Sequence, residues 1–194
     1  MKKIKNKQNT REKILKVAGV LFSQHGYFAV SMQNVADKIG ITKPALYYYF
    51  KSKNELCRTI LDDSYIDLSE KLTIAVQKGK TPTDKLFNLI IAYLNFSLER
   101  PEVNLIFKEG FGGQHDLEKF ILDLRLQTLS FFKKVVKKAV DQAEKPFAHL
   151  SLTVSLLASL LSRPIFLVHT TPRQLAKNIM ELFFPGETKA KSYQ

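Results

Sequence analysis

Residues 31–56 read SMQNVADKIGITKPALYYYFKSKNEL, and their punctuation decides the fold. Ser31 is a helix-capping residue, and Met32, Val35, Ala36 and Ile39 then recur at the spacing of one helical face. Gly40 closes that helix after barely two turns. Ile41 is the apolar residue of the turn, and Thr42 caps the next helix. Pro44 falls in its first turn, where a missing N–H costs nothing. After Phe50, Ser52 and Glu55 form the capping-box pattern that opens a third helix. Two short helices joined by a glycine-containing turn of this length make a helix-turn-helix pattern.

The second of these helices carries Lys43, Pro44 and three adjacent tyrosines. Successive helical residues point about 100° apart, so Tyr47, Tyr48 and Tyr49 cannot all share the core side that Leu46 and Phe50 occupy. At least two must be exposed, next to Lys43, Lys51 and Lys53. Tyrosine hydroxyls can donate to phosphates, while rings and Pro44 can meet thymine methyls. The amino ends of this helix and the next direct backbone N–H groups outward, which suits phosphate. A small aromatic cluster beneath a loop is the structural alternative.

Working outward, charge supports a polyanionic partner. Net charge is +12; residues 1–56 hold eleven Lys/Arg against three Asp/Glu, and the remainder holds nineteen against fifteen. Such an excess suits nucleic acid better than an acidic small substrate, although a solvated basic surface gives the same count. One cysteine, Cys57, leaves no internal disulfide framework and no Cys-based zinc site, which fits a reducing cytoplasm. The basic amino terminus is followed by no signal-type apolar run. Residues 2–8 are expected to be a disordered arm. The first helix is expected to begin with Asn9 as cap, to bury Ile14, Val17, Ala18, Leu21 and Phe22, and to end at His25-Gly26.

Residues 10–56 resemble the DNA-binding domain of the TetR family of bacterial transcriptional regulators. The matching runs are Ala18 to Tyr27, Val35 to Ile41 and Leu46 to Leu56. The resemblance implies that Thr42, Lys43, Pro44, Ala45, Tyr47, Tyr48 and Tyr49 line a DNA face, and that Lys53 holds a phosphate. Ser31 and Gln33 complete the candidate DNA contacts. Tyr49 departs from the family, which often has His there; a phenol can still meet a phosphate.

The fourth helix keeps an apolar stripe from Leu56 to Val76, roughly 40 Å at 1.5 Å per residue, so the domain boundary is drawn near residue 56, within a helix. Domains 1–56 and 57–194 follow. A fifth helix starts at Thr81-Pro82 and runs to about Glu99. Pro101 opens a short sixth, and a seventh runs from Asp116 to about Ala143. An eighth covers residues 147–168, and a ninth begins at Thr171-Pro172. No segment shows sustained strand alternation. The chain is expected to be all-α, about nine helices in total. Leu150 to Val168 is long enough to span a membrane, but Ser151, Thr153, Ser155, Ser159, Ser162, Arg163 and Pro164 make it a buried helix instead.

In the second domain the resemblance carries architecture alone, and implies an effector pocket among the middle helices and a dimer bundle from the last two. Small residues along the eighth helix support close helix approach independently. Ser155, Leu156, Ser159, Leu160 and Ser162, with Leu175, Ile179 and Phe183 of the ninth, are the candidate dimer contacts; burial within one chain is the alternative. Candidate effector residues are Tyr65, Phe87, Tyr93, Phe96, Phe107, Phe131 and Phe166, aromatics that helical spacing alone would assign to core. Gly110-Phe111-Gly112-Gly113 lacks the strand and Lys of a phosphate loop. The four His residues show no metal-ligand spacing, and no nucleophile, base and orienter set is present. No cofactor and no catalysis are expected.

These readings converge on a cytoplasmic, nucleoid-associated homodimer that binds a palindromic double-stranded operator and answers a small apolar effector, without membrane contact. It is more readily a repressor than an activator. A DNA-bound adaptor of the same fold, whose carboxy-terminal domain binds a protein, is the rival reading.

Overall fold

The computed structural model describes residues 2–107, 114–141 and 170–183. Among them are seven α-helices and one 3-10 helix, with no strand. In chain order these are α1 (Lys2–Ala29), α2 (Met32–Ile39), α3 (Lys43–Tyr49), α4 (Lys53–Lys78), α5 (Pro82–Glu99), the 3-10 helix η1 (Pro101–Phe107), α6 (His115–Asp141) and α7 (Pro172–Phe183). The expected eighth helix lies outside the described residues, and with it Ser155, Leu156, Ser159, Leu160, Ser162 and Phe166.

The chain forms two compact units, one from residues 1–66 and 100–123, the other from 67–99 and 124–194. In the first, α2 packs on α1, α3 packs on α2, and η1 packs along α1. Ile14, Ala18 and Phe22 of α1 meet this core, joined by Val35, Ala36, Leu46, Phe50, Leu56, Ile60 and Leu61, all buried. In the second, α5 packs against α7. Leu86, Leu89, Ile90 and Tyr93 of α5 are fully buried, as are Ala176 and Met180 of α7.

One expectation needs correction. The helix begins at Lys2 rather than Asn9, so residues 2–8 are helical and not a disordered arm. The physical reason is that KKIKNKQNTREK contains neither Gly nor Pro. Lys, Gln and Arg are good helix formers, so a helix nucleated by the buried Ile14 face extends backward at little cost. At the other end, Gly26 breaks helical geometry as expected, but with φ 80° and ψ 162°, a positive-φ conformation open essentially to glycine alone and outside the left-handed helical well, and a last turn follows it to Ala29. The short sixth helix is a 3-10 helix.

Candidate nucleic-acid interface

The head is built by local capping. Ser31 Oγ accepts from the Asn34 N–H at 3.1 Å, and Asn34 Oδ1 accepts from the Ser31 N–H at 2.8 Å and from its hydroxyl at 2.6 Å. This is a reciprocal capping box closed by Asn instead of Glu or Gln. Gly40 then takes φ 81° and ψ 37°, the left-handed conformation that a side chain would disfavour. Its N–H donates to the Ala36 and Asp37 carbonyls, and the Ile41 N–H donates to Ala36 at 3.0 Å, which turns the chain sharply into α3. Lys13 of α1 donates to the Ile39 carbonyl at 3.3 Å, capping α2 from outside. Thr42 Oγ1 accepts from the Ala45 N–H at 3.3 Å and starts α3.

Only two side chains anchor α3 inward: Leu46 is 0% exposed and Phe50, its cap, 1%. The Arg11 guanidinium covers the Phe50 ring at 5.2 Å. The opposite face is open. Tyr48 is 70% exposed and Tyr47 42%. Thr42, Lys43 and Pro44 are also exposed, while Ala45 and Tyr49 are half-buried. The Tyr49 ring meets Tyr48 edge-on at 5.4 Å, which limits how far Tyr48 can swing. Ser31 and Gln33 are exposed on α2, and Gln33 donates to Asp37 at 2.6 Å along its own helix. Lysine and phenol donors thus stand on one rigid seven-residue helix.

At the start of α4, Ser52 Oγ accepts from the Glu55 N–H at 3.0 Å; the return bond runs from the Lys51 N–H to Glu55 Oε2 at 2.7 Å, one residue earlier than a strict capping box. Lys53 turns inward. Its Nζ donates to the Tyr27 and Val30 carbonyls at 2.7 and 2.9 Å and lies 4.1 Å from the Tyr27 ring centroid. These bonds hold the chain where it passes from α1 to α2. Partial burial lowers the Lys53 ammonium pKa, and the Cys57 thiol acts weakly the other way. Neither Tyr27 nor Val30 was legible as its partner, since both precede it by more than twenty residues.

Cys57 sits behind this contact, fully buried, and burial pushes its thiol up to about 12 from an ordinary 9.0. The folded-state value is raised, so the stability linked to this thiol is complete below pH 9 and is lost as pH climbs from 9 toward 12. Two outcomes follow. Native protein resists alkylation by iodoacetamide at pH 8, because a buried protonated thiol is a poor nucleophile. A Cys57→Ala variant shows a shallower fall of Tm between pH 9 and 10.5 than the parent; parallel curves would contradict the assignment.

The remaining candidates are dispersed. Phe87, Tyr93 and Phe96 are buried in the second unit, with Tyr93 edge-on to Phe132 at 5.6 Å. Phe131 is half-buried; its neighbour Phe132 is the ring that turns inward. Tyr65 is half-buried and belongs to the first unit. Leu175 is half-buried and Ile179 buried on α7. The side chains of Phe107 and Phe183 lie outside the described residues. The first unit also holds a cleft of about 640 Å³ between α1 and the opening turns of α4 and α6, lined by Arg11, Glu55, Arg58, Asp62, Asp116 and Phe120 among others. Among the described residues no helix is long and apolar enough to cross a membrane.

Comparison with known proteins bears on the same segment. Residues 14–60 match the family model described as bacterial regulatory proteins, tetR family. The chain is 26% identical over 110 residues to the HTH-type transcriptional repressor KstR2 of Mycolicibacterium smegmatis, covering 57% of this chain and 54% of that one. It spans about half the length of the curated relatives it matches. Its fold is similar to that of the ketosteroid transcriptional regulator KstR2 of Mycobacterium tuberculosis, with a TM-score of 0.75 and 19% identity over 91% of this chain and 94% of that one. It is also similar to that of AibR solved with isovaleryl coenzyme A and operator DNA, with a TM-score of 0.73 and 20% identity over 90% and 98%.

Proposed function

We propose that the chain, whose residues 14–60 match the family model of tetR bacterial regulatory proteins, is a homodimeric transcriptional repressor of that family. The observation that carries the reading is α3, where Lys43, Tyr47 and Tyr48 stand exposed on a helix that Leu46 and Phe50 fix from behind. Two such heads fit successive major grooves of a palindromic operator. Thr42, Pro44, Ala45 and Tyr49 complete the face, with Ser31 and Gln33 beside it on α2. Lys53 can take its proposed phosphate role only by releasing the Tyr27 and Val30 carbonyls, and Lys51, exposed beside it, offers a cation nearby.

Dimerisation is assigned to residues 147–168 and to α7, and the action is placed in the cytoplasm, on the nucleoid. The effector is proposed to be small and largely apolar, received by the aromatic core of the second unit around Phe87, Tyr93 and Phe96. AibR, with its bound isovaleryl coenzyme A, supports an acyl group as the apolar part. Helix α4 contributes residues to both units, and it is proposed to carry the effector's signal to the head. An effector that prefers the non-binding arrangement by about 1–3 kcal/mol is sufficient to release the operator.

The test is affinity for a duplex that the protein itself selects from a randomised library, measured against salt. Each phosphate neutralised contributes about 0.9 to the slope of log K on log salt, so a dimer with several contacts per head loses affinity by orders of magnitude between 50 and 200 mM, on the general scale for DNA-binding proteins. A flat response, or no enriched palindrome, overturns the reading.

A further inference from the structure

Helix η1 carries polar groups that neither the DNA face nor the effector core uses. Glu102 is 6% exposed, and its Oε1 accepts from Arg100 Nε and from Ser64 Oγ, the latter at 3.1 Å. Arg100 Nη2 donates to the same Ser64 oxygen at 2.9 Å, which closes a three-residue ring. Ser64 is fully buried on α4. The third wall is α1. A Cβ at Gly19 would lie 3.3 Å from Glu102 Cδ and 3.4 Å from Ile60 Cγ2, so the carboxylate packs where a side chain on α1 would stand.

Three further observations give this knot a role. Arg100 directly follows the last residue of α5, the helix that bears Phe87, Tyr93 and Phe96. A 3-10 helix of seven residues is longer than its poor hydrogen-bond geometry usually sustains, and Asn104 on it is buried with its Oδ1 lacking a hydrogen-bond partner among the described residues. Glu102 ties this helix to Ser64 of α4. By contrast, Arg11 of α1 lines the open polar cleft with residues of α4 and α6.

We propose that the Arg100–Glu102–Ser64 knot is a positioning device for operator recognition. Wedged against Gly19, it sets where α1, and with α1 the recognition helix, stands on α4. This inference rests on the DNA-binding reading above and adds named residues to it.

The experiment compares full-length parent, Glu102→Gln, Gly19→Ala and the double variant Gly19→Ala/Glu102→Asp. Each is tested on the duplex selected by the parent and on a scrambled duplex, at a temperature where circular dichroism shows all of them folded. Positioning matters to two-headed specific binding, whereas scrambled DNA reads the charge of the head alone. Glu102→Gln and Gly19→Ala are expected to lose about tenfold on the selected duplex, within the usual range of coupling effects, and to show no loss on the scrambled one, where the lost carboxylate charge of Glu102→Gln can only strengthen binding. The double variant is expected to recover most of the loss, because Asp withdraws the carboxylate from the new methyl group. Should Glu102→Gln fail to fold, the Gly19 pair decides alone. Equal losses on both duplexes, additive losses in the double variant, or unchanged specific affinity overturns the inference. A parent that selects no palindrome overturns the regulator reading, and this inference with it.

Discussion

Replacing Lys43 and Tyr47 together by Ala lowers affinity for the selected operator by about a thousandfold and leaves the dimer folded. A good contact to a base edge or phosphate is worth about 1–3 kcal/mol, and a two-fold symmetric protein loses each of them twice. Both side chains are exposed, and neither supports the core, so stability changes stay within about 0.5 kcal/mol, as for ordinary surface positions. Fluorescence anisotropy with labelled duplex, run beside urea denaturation, checks both halves of the statement. Specific binding that survives the double change would mean that α3 is not the reading helix.

The complementary variant is Leu46→Ala. Leu46 is fully buried behind the reading face, so its truncation costs about 2–5 kcal/mol in lost transfer energy and cavity. The head has little else to hold α3, which is seven residues long and anchored by Leu46 and Phe50. Urea unfolding followed by tyrosine fluorescence should shift to a lower midpoint, with operator binding lost alongside. Tyr48→Ala, two positions on and well exposed, should leave that midpoint in place. If Leu46→Ala left it unmoved as well, the register of α3 would be wrong.

The head was legible because its punctuation is local. Ser31, Gly40, Thr42 and Ser52 act on backbone groups three or four residues away, and such bonds leave a spacing that can be read directly. The inward positions Leu46 and Phe50, and at least two outward tyrosines, followed from helical period alone. The amino-terminal start was misread because a run of polar helix formers satisfies both a helix and a disordered arm; no breaker in it separates the two. Phe131 and Phe132 are adjacent in sequence, and only packing determines which turns inward. The knot was illegible in a stronger sense. Ser64 and Glu102 are separated by 38 residues, and no periodicity links a serine inside an apolar stripe to a glutamate in a connecting segment. The one available signal was Gly19, a helix-weakening residue within the first helix's apolar stripe, which marks a close approach.

The division of labour on α3 also bears on how such a protein changes over generations. Two residues, Leu46 and Phe50, hold the helix in place, while Lys43, Pro44, Tyr47 and Tyr48 are exposed. Under the proposed function, substitutions at those four sites are expected to change which DNA is bound while leaving the fold intact, because folding and address are written in different letters.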